Sequence, residues 1–96
     1  MDIRNIKIKL KNSEQFLKER FLVKKIGVFG SYSRGEQRKG SDVDILVEFF
    51  DEPSFFKFIR LEDYLKKLLG IKVDLVMKNS LKPNIGKYIL EEVIYI

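Results

Sequence analysis

The sequence predicts an α/β (α+β) fold in which helices flank a three-stranded mixed sheet, in the order α-β-α-β-α-β-α. Three short runs rich in branched apolar residues, Lys25–Phe29, Val43–Phe49 and Ile71–Met77, read as strands. The stretches around and between them carry apolar residues at helical spacing. With 96 residues, 45% of them apolar, the chain has the size of one domain, residues 1–96, with enough apolar surface for a core.

The elements follow in order. Ile3, Ile6, Leu10, Leu17 and Phe21 lie near helical spacing, so the first stretch to about Phe21 reads as helix, with Ser13 placed to cap a second helical piece. Ile6–Lys11 also alternates as a strand would. Gly30-Ser31 closes the first strand, and the polar residues from Tyr32 to about Arg38 have the length of two helical turns. Gly40-Ser41 restarts the chain before the second strand. Asp51-Glu52-Pro53-Ser54 breaks that strand and opens a helix, with Pro tolerated in a first turn. Phe55, Phe58, Ile59, Leu61, Leu65, Leu68 and Leu69 form its apolar face, and Gly70 after Lys66-Lys67 suits a left-handed C-terminal cap. Leu81 to about Glu92 reads as a final helix that ends in an apolar tail, Val93–Ile96.

Composition excludes much chemistry. There is no Cys, hence no disulfide, thiolate metal site or Cys nucleophile, and no His, hence no His triad, His metal site or imidazole base. Acid–base or metal chemistry must rest on carboxylates, Lys or Tyr. No run suits a signal peptide or approaches the roughly 20 apolar residues of a spanning helix, so the expected location is the cytoplasm, away from membranes. The net charge of +5 suits an anionic partner, or simply a lysine-solubilised surface. The lysines are not interleaved with stacking aromatics, so no nucleic-acid platform stands out.

Three aspartates break the strand pattern. Asp42 and Asp44, at i and i+2, project from one strand face, while Val43, Ile45 and Val47 turn to the other. Asp74 sits between Val73 and Leu75 in the third strand. Each taken singly has an ordinary reading as a solvated strand residue. Three carboxylates on one face repel each other, and a hard divalent cation, Mg²⁺ or Mn²⁺, relieves that repulsion. Upstream, Gly30-Ser31 can let a phosphate approach the backbone, although a Gly-Ser after a strand is also an ordinary turn. The turn and the Asp pair meet only if the first two strands run antiparallel. Asp74 joins them only if the third runs parallel to the second. A phosphate cradle beside carboxylates is equipment for phosphoryl or nucleotidyl transfer.

Phe29-Gly30-Ser31-Tyr32-Ser33-Arg34-Gly35-Glu36, followed by Ser41-Asp42-Val43-Asp44-Ile45-Leu46-Val47 and later Lys72-Val73-Asp74-Leu75-Val76, resembles the minimal nucleotidyltransferases of the DNA polymerase beta superfamily from about Lys24 onward. One Gly, one Ser and two Asp at set spacing have a chance frequency of roughly 10⁻⁵ per position. Ser33 stands where Ala is more usual in that family. The resemblance implies a nucleotidyltransferase fold. It also implies that Gly30 and Ser31 hold the triphosphate of ATP, that Asp42 and Asp44 bind two Mg²⁺ ions (or Mn²⁺), and that Asp74 completes the metal site and helps deprotonate the attacking hydroxyl. Arg34 would meet phosphate or brace the short helix. Members of the family are similar to antitoxins paired with helical HEPN-domain toxins, which implies AMP transfer to a toxin tyrosine.

Two further functions compete with that expectation: an antitoxin that neutralises its partner by binding alone, and a basic RNA-binding module. The intact Gly-Ser and all three Asp favour the enzyme. With no second domain in the sequence, the acceptor would be recognised by the partner's own surface or by a homo-oligomer. Phe49-Phe50, Phe55-Phe56 and the Val93–Ile96 tail are candidate interface patches, with core the simpler expectation for Phe55 and the tail.

Overall fold

The computed structural model describes all residues, Met1–Ile96. The chain runs α1 (Ile3–Asn12), α2 (Glu14–Phe21), β1 (Val23–Phe29), α3 (Ser31–Arg34), β2 (Val43–Phe49), α4 (Phe55–Leu69), β3 (Val73–Met77), a 3₁₀ turn (Lys78–Ser80), α5 (Pro83–Glu92) and β4 (Ile94–Tyr95). The sheet order is β3-β2-β1-β4. β1 is antiparallel to β2 and to β4, and β2 is parallel to β3. The mixed sheet expected from the connections is present, with four strands where three were expected. The Val93–Ile96 tail supplies the fourth. Its Ile94 and Tyr95 pair with Val28 and Gly27, and the Ile96 N–H donates to the Ile26 carbonyl at 3.0 Å. An apolar tail beside an open strand edge satisfies the edge's N–H and C=O groups; the core expectation for it is not met, since Val93, Ile94 and Ile96 are only partly covered and Tyr95 is exposed.

Alternation within the strands separates core from site. Ile26 and Val28 of β1, Val43, Ile45 and Val47 of β2, and Val73 and Leu75 of β3 join one buried cluster with Ile6, Leu10, Leu17, Phe21, Leu61, Leu65 and Leu69. α2 therefore packs on β1 and α4 on β3, with α1 against both helices. The interleaved residues of β2 and β3, Asp44, Leu46, Glu48, Asp74 and Val76, face the other side.

Local signals explain most boundaries. The Asp2 Oδ1 accepts from the Asn5 N–H at 3.1 Å and caps α1. Ser13 separates α1 from α2 without capping the second; its hydroxyl instead accepts from the Tyr64 hydroxyl at 3.1 Å and ties the break to α4. Phe16 stacks on the same Tyr64 with ring centroids 4.8 Å apart. Ser54, not the acidic pair before Pro53, caps α4 through Lys57 N–H at 3.2 Å, and Gly70 ends the helix in the left-handed conformation, φ 71°. The stretch expected to give two turns after Tyr32 gives one, Ser31–Arg34, because Gly35 stops it at φ 70°. β3 starts at Val73 rather than Ile71, and β1 extends back to Val23. The core expectation for Phe55 fails: Phe55 and Phe56 are 71% and 74% exposed, stacked edge to face on each other, while Leu61, Leu65 and Leu69 carry the buried face of α4.

Gly27 shows how closely the tail packs. A Cβ there would lie 2.7 Å from Val93 Cγ2 and 3.0 Å from the Ile94 carbonyl oxygen. Overpacking at such a site costs about 1–3 kcal/mol. Gly27→Ala is expected to lower stability by that amount and to speed amide exchange at Ile96 before the rest of the sheet. Unchanged protection of the Ile96 N–H in the variant would show that β4 does not depend on this contact.

Candidate active site

The antiparallel register of β1 and β2 places Phe29 beside Asp44, so the chain leaving β1 turns at Gly30 directly against that aspartate. Gly30 has φ 75° and ψ −152°, a conformation open only to glycine. A Cβ at this position would collide with Asp44 Oδ2 and sit 3.0 Å from its Cγ. The turn is held by its own carbonyl, which accepts from the N–H groups of Ser33 and Arg34 at 3.1 and 3.2 Å and from the Ser33 hydroxyl at 2.7 Å. Ser33 thus adds a bond to the turn that an alanine could not. Ser31 follows as the first residue of α3.

The parallel register of β2 and β3 places Asp44 beside Asp74. Asp42 lies just before β2, where the Val43 N–H donates to the Lys72 carbonyl at 2.9 Å and anchors the start of the strand to β3. The three carboxylates differ in setting: Asp44 is half-buried, whereas Asp42 and Asp74 are exposed. Burial, then the charge of Asp74, then that of Asp42, push the Asp44 carboxyl up from 3.8 to about 6, while Arg34 pulls it back. Burial outranks the mutual repulsion that the sequence alone suggests. The trio does not close into a ready-made three-ligand metal cage. Its donor chemistry nonetheless fits a hard divalent cation: oxygen ligands only, with a half-buried carboxylate whose charge nothing nearby fully compensates. Arg34 ends α3 and is close enough for its charge to act on Asp44. Its Nε donates to Glu36 at 2.8 Å and its Nη1 to Glu92 at 2.8 Å, and these bonds, Glu92 first, raise the guanidinium above its ordinary value.

Of the six residues singled out in the sequence, Gly30, Ser31 and Arg34 lie on the turn and its short helix, Asp44 and Asp74 at paired strand positions, and Asp42 just before β2. Sequence reasoning missed Glu92, whose Oε1 accepts from the Gly30 N–H at 2.9 Å across 62 positions of chain. A glutamate ending a helix gives no local sign of such a contact.

The fold is shared with known proteins. The chain belongs to the nucleotidyltransferase family, whose nucleotidyltransferase-domain model matches residues 10–96. Within it, the chain is 62% identical over 80 residues to protein adenylyltransferase MntA of Thermococcus cleftensis, covering 83% of this chain and 81% of that protein. A solved minimal nucleotidyltransferase superposes with a TM-score of 0.83 at 34% identity, covering 98% of this chain and 95% of the other. A chain of a toxin–antitoxin complex crystallised with AMP-PNP superposes with a TM-score of 0.73 at 28% identity, covering 88% of this chain and 70% of that one.

The raised Asp44 carboxyl has a consequence for stability. Unfolded, the group titrates near 3.8; folded, near 6. Above about pH 6 the folded state carries a charge it solvates poorly, and Asp44 subtracts from stability. Below about pH 4 it is protonated in both states and subtracts nothing. Screening at this half-buried position reduces the penalty to about 1–2 kcal/mol. Without divalent cation, Asp44→Asn is expected to melt about 4–10 °C higher than the parent near pH 8. The two melting curves should converge as the pH falls toward about 4. A gap that stays constant with pH would assign the effect to something other than this carboxyl.

Proposed function

We propose that this chain is a metal-dependent protein adenylyltransferase: it transfers AMP from ATP to a hydroxyl of a partner protein, a tyrosine of a HEPN-domain toxin, and acts as the antitoxin. Residues 1–96 work as one minimal domain in the cytoplasm. The observation that carries the reading is the double register at Asp44, with Gly30 against it on one side and Asp74 beside it on the other. Identity to a protein adenylyltransferase supports the reaction, and likeness to a toxin–antitoxin chain crystallised with an ATP analogue supports the nucleotide and the partner. No helix of the chain is long and apolar enough to cross a membrane.

In this reading Gly30 and Ser31 hold the triphosphate, with Arg34 able to reach a phosphate oxygen. Asp42 and Asp44, completed by Asp74, would hold two Mg²⁺ ions, with Mn²⁺ as a substitute. Bound there, the cations neutralise the carboxylates and the charge that develops on the α-phosphoryl oxygens. The exposed Asp74, on the edge strand of the sheet, accepts the proton of the incoming hydroxyl. The hydroxyl oxygen forms its bond to the α-phosphorus as the bond to the β-phosphate oxygen breaks, and pyrophosphate leaves with that electron pair. Asp44, half-buried and flanked by the other two carboxylates, is better suited to holding a cation than to exchanging protons with an acceptor that arrives from solvent.

Transfer and binding separate by mutation. Asp74→Asn is expected to cut adenylyl transfer by about 10²-fold or more while ATP still binds, because a base acts mainly in the transition state. The intact mass of the co-expressed partner should show additions in whole AMP units that disappear with Asp42→Asn/Asp44→Asn. A partner that is never modified, and is inhibited equally by that double variant, would replace this reading with neutralisation by binding alone.

A further inference from the structure

Glu92 ends α5, and its carboxylate is shared between two donors of the turn. Oε1 accepts from the Gly30 N–H at 2.9 Å, and Oε2 accepts from Arg34 Nη1 at 2.8 Å. A backbone N–H and a guanidinium N–H, aimed at two oxygens of one anion, form a fork that suits two oxygens of a phosphate equally well. We infer that Glu92 occupies the place of a nucleotide phosphate and that a polyphosphate seats by displacing it. This inference rests on the nucleotidyltransferase reading, because it takes Gly30 and Arg34 as phosphate donors.

The surroundings make the exchange a side-chain movement. The backbone after Glu92 is pinned: Val93 packs on Gly27, its N–H donates to the Ile89 carbonyl at 3.0 Å, and Ile94 and Tyr95 pair with β1. The Glu92 side chain is 29% exposed and that of Arg34 is 48% exposed, so the pair is solvated and individually weak. Glu92 can therefore rotate toward water without opening the sheet. When it does, Arg34 keeps its second anchor, the 2.8 Å bond from Nε to Glu36, and stays aimed at the turn with Nη1 free. With Glu92 in place, the turn that already faces Asp44 carries one more carboxylate, which opposes any incoming anion. A ligand with a single weak charge gains little by the exchange. A triphosphate replaces one carboxylate with several charged oxygens on the same donors. Glu92 is thus a residue that sets nucleotide affinity and favours polyphosphates over less charged ligands.

The test is calorimetric binding of Mg·ATP and of inorganic triphosphate to the purified full chain, its Glu92→Gln variant and its Glu92→Ala variant. Removing a competing half-exposed ion pair should tighten both ligands by about three- to tenfold. Alanine should gain more than glutamine, which keeps an oxygen for the Gly30 N–H. A purely structural brace predicts the opposite sign: weaker binding once the turn loses its support. Unchanged or weaker affinity in both variants, with the parent still binding Mg·ATP, overturns the role of Glu92 and leaves the proposed function standing. Failure of the parent itself to bind Mg·ATP overturns both. The glutamine variant preserves size and packing, so the comparison survives if alanine loosens the fold.

Discussion

Asp44 stands between Gly30 and Asp74 because β2 is held in register on both sides, and that register is enforced from the opposite face of the sheet. Val43, Ile45 and Val47 are fully buried beneath the helices, and Val73 and Leu75 lie beside them on β3. A slip of one residue in either strand would drive Asp44 or Asp74 into this apolar layer and bring valine or leucine out to the surface. The repulsion among the carboxylates pushes against that arrangement. Burying several branched side chains, at roughly 1.5–3 kcal/mol each, exceeds the penalty of about 1–2 kcal/mol at Asp44. The core therefore sets the position of the charges, and the cost of holding them appears as the raised Asp44 carboxyl. A site that strains its own fold is expected where binding or chemistry later relieves the strain.

The connections give the two sides of Asp44 different characters. A tight antiparallel return brings β1 against β2, and Gly30 is glycine because the side chain of Asp44 fills the space a Cβ would take. The other side is reached through α4, a crossover long enough to make β3 parallel to β2. β3 is an edge strand, so Asp74 is open to solvent while Asp44 is half-covered. A small, charged ligand can be held at the closed side, and a bulky acceptor can approach from the open one.

This much was legible in the sequence because it is carried by period and direction. Alternation put Asp42 and Asp44 on one strand face, and bringing the Gly-Ser turn and the three aspartates together required an antiparallel and then a parallel pairing. What was not legible depended on partners distant in sequence. Four apolar residues at 93–96 read as core or as an interface patch, with core the simpler expectation, and the open edge of β1 instead makes them a strand. Ser13 looks like a helix cap, yet its hydroxyl is taken by Tyr64, 51 residues away. Phe55 shares the helical spacing of the α4 core face, but it is the first residue of the helix and remains exposed. Glu92 had no signal at all, since its partners are a backbone N–H and an arginine, 62 and 58 residues away in the chain.

Charge shows the same contrast between whole-chain and local readings. The net charge of +5 suggests attraction for anions. At the site itself Glu36 and Glu92 bond Arg34, and Asp42 and Asp74 act on Asp44, so the immediate surroundings are acidic. The basic excess lies elsewhere, in part in the groove at the start of α5 lined by Lys78, Lys82 and Lys87. The two fields act at different ranges. Over distances comparable to the Debye length of about 8 Å, the basic surface draws a polyphosphate toward the chain. At contact the carboxylates oppose it, and under the proposed function its charge would arrive partly neutralised and Glu92 would give way. A bare anion meets repulsion from the Asp trio, and a bare cation finds carboxylates with no phosphate to share. In the proposed function, the ligand that would satisfy Gly30, Arg34 and the three aspartates together is a polyphosphate carrying a divalent cation. That selectivity comes from the geometry of one turn and two strand registers rather than from the basic composition of the chain.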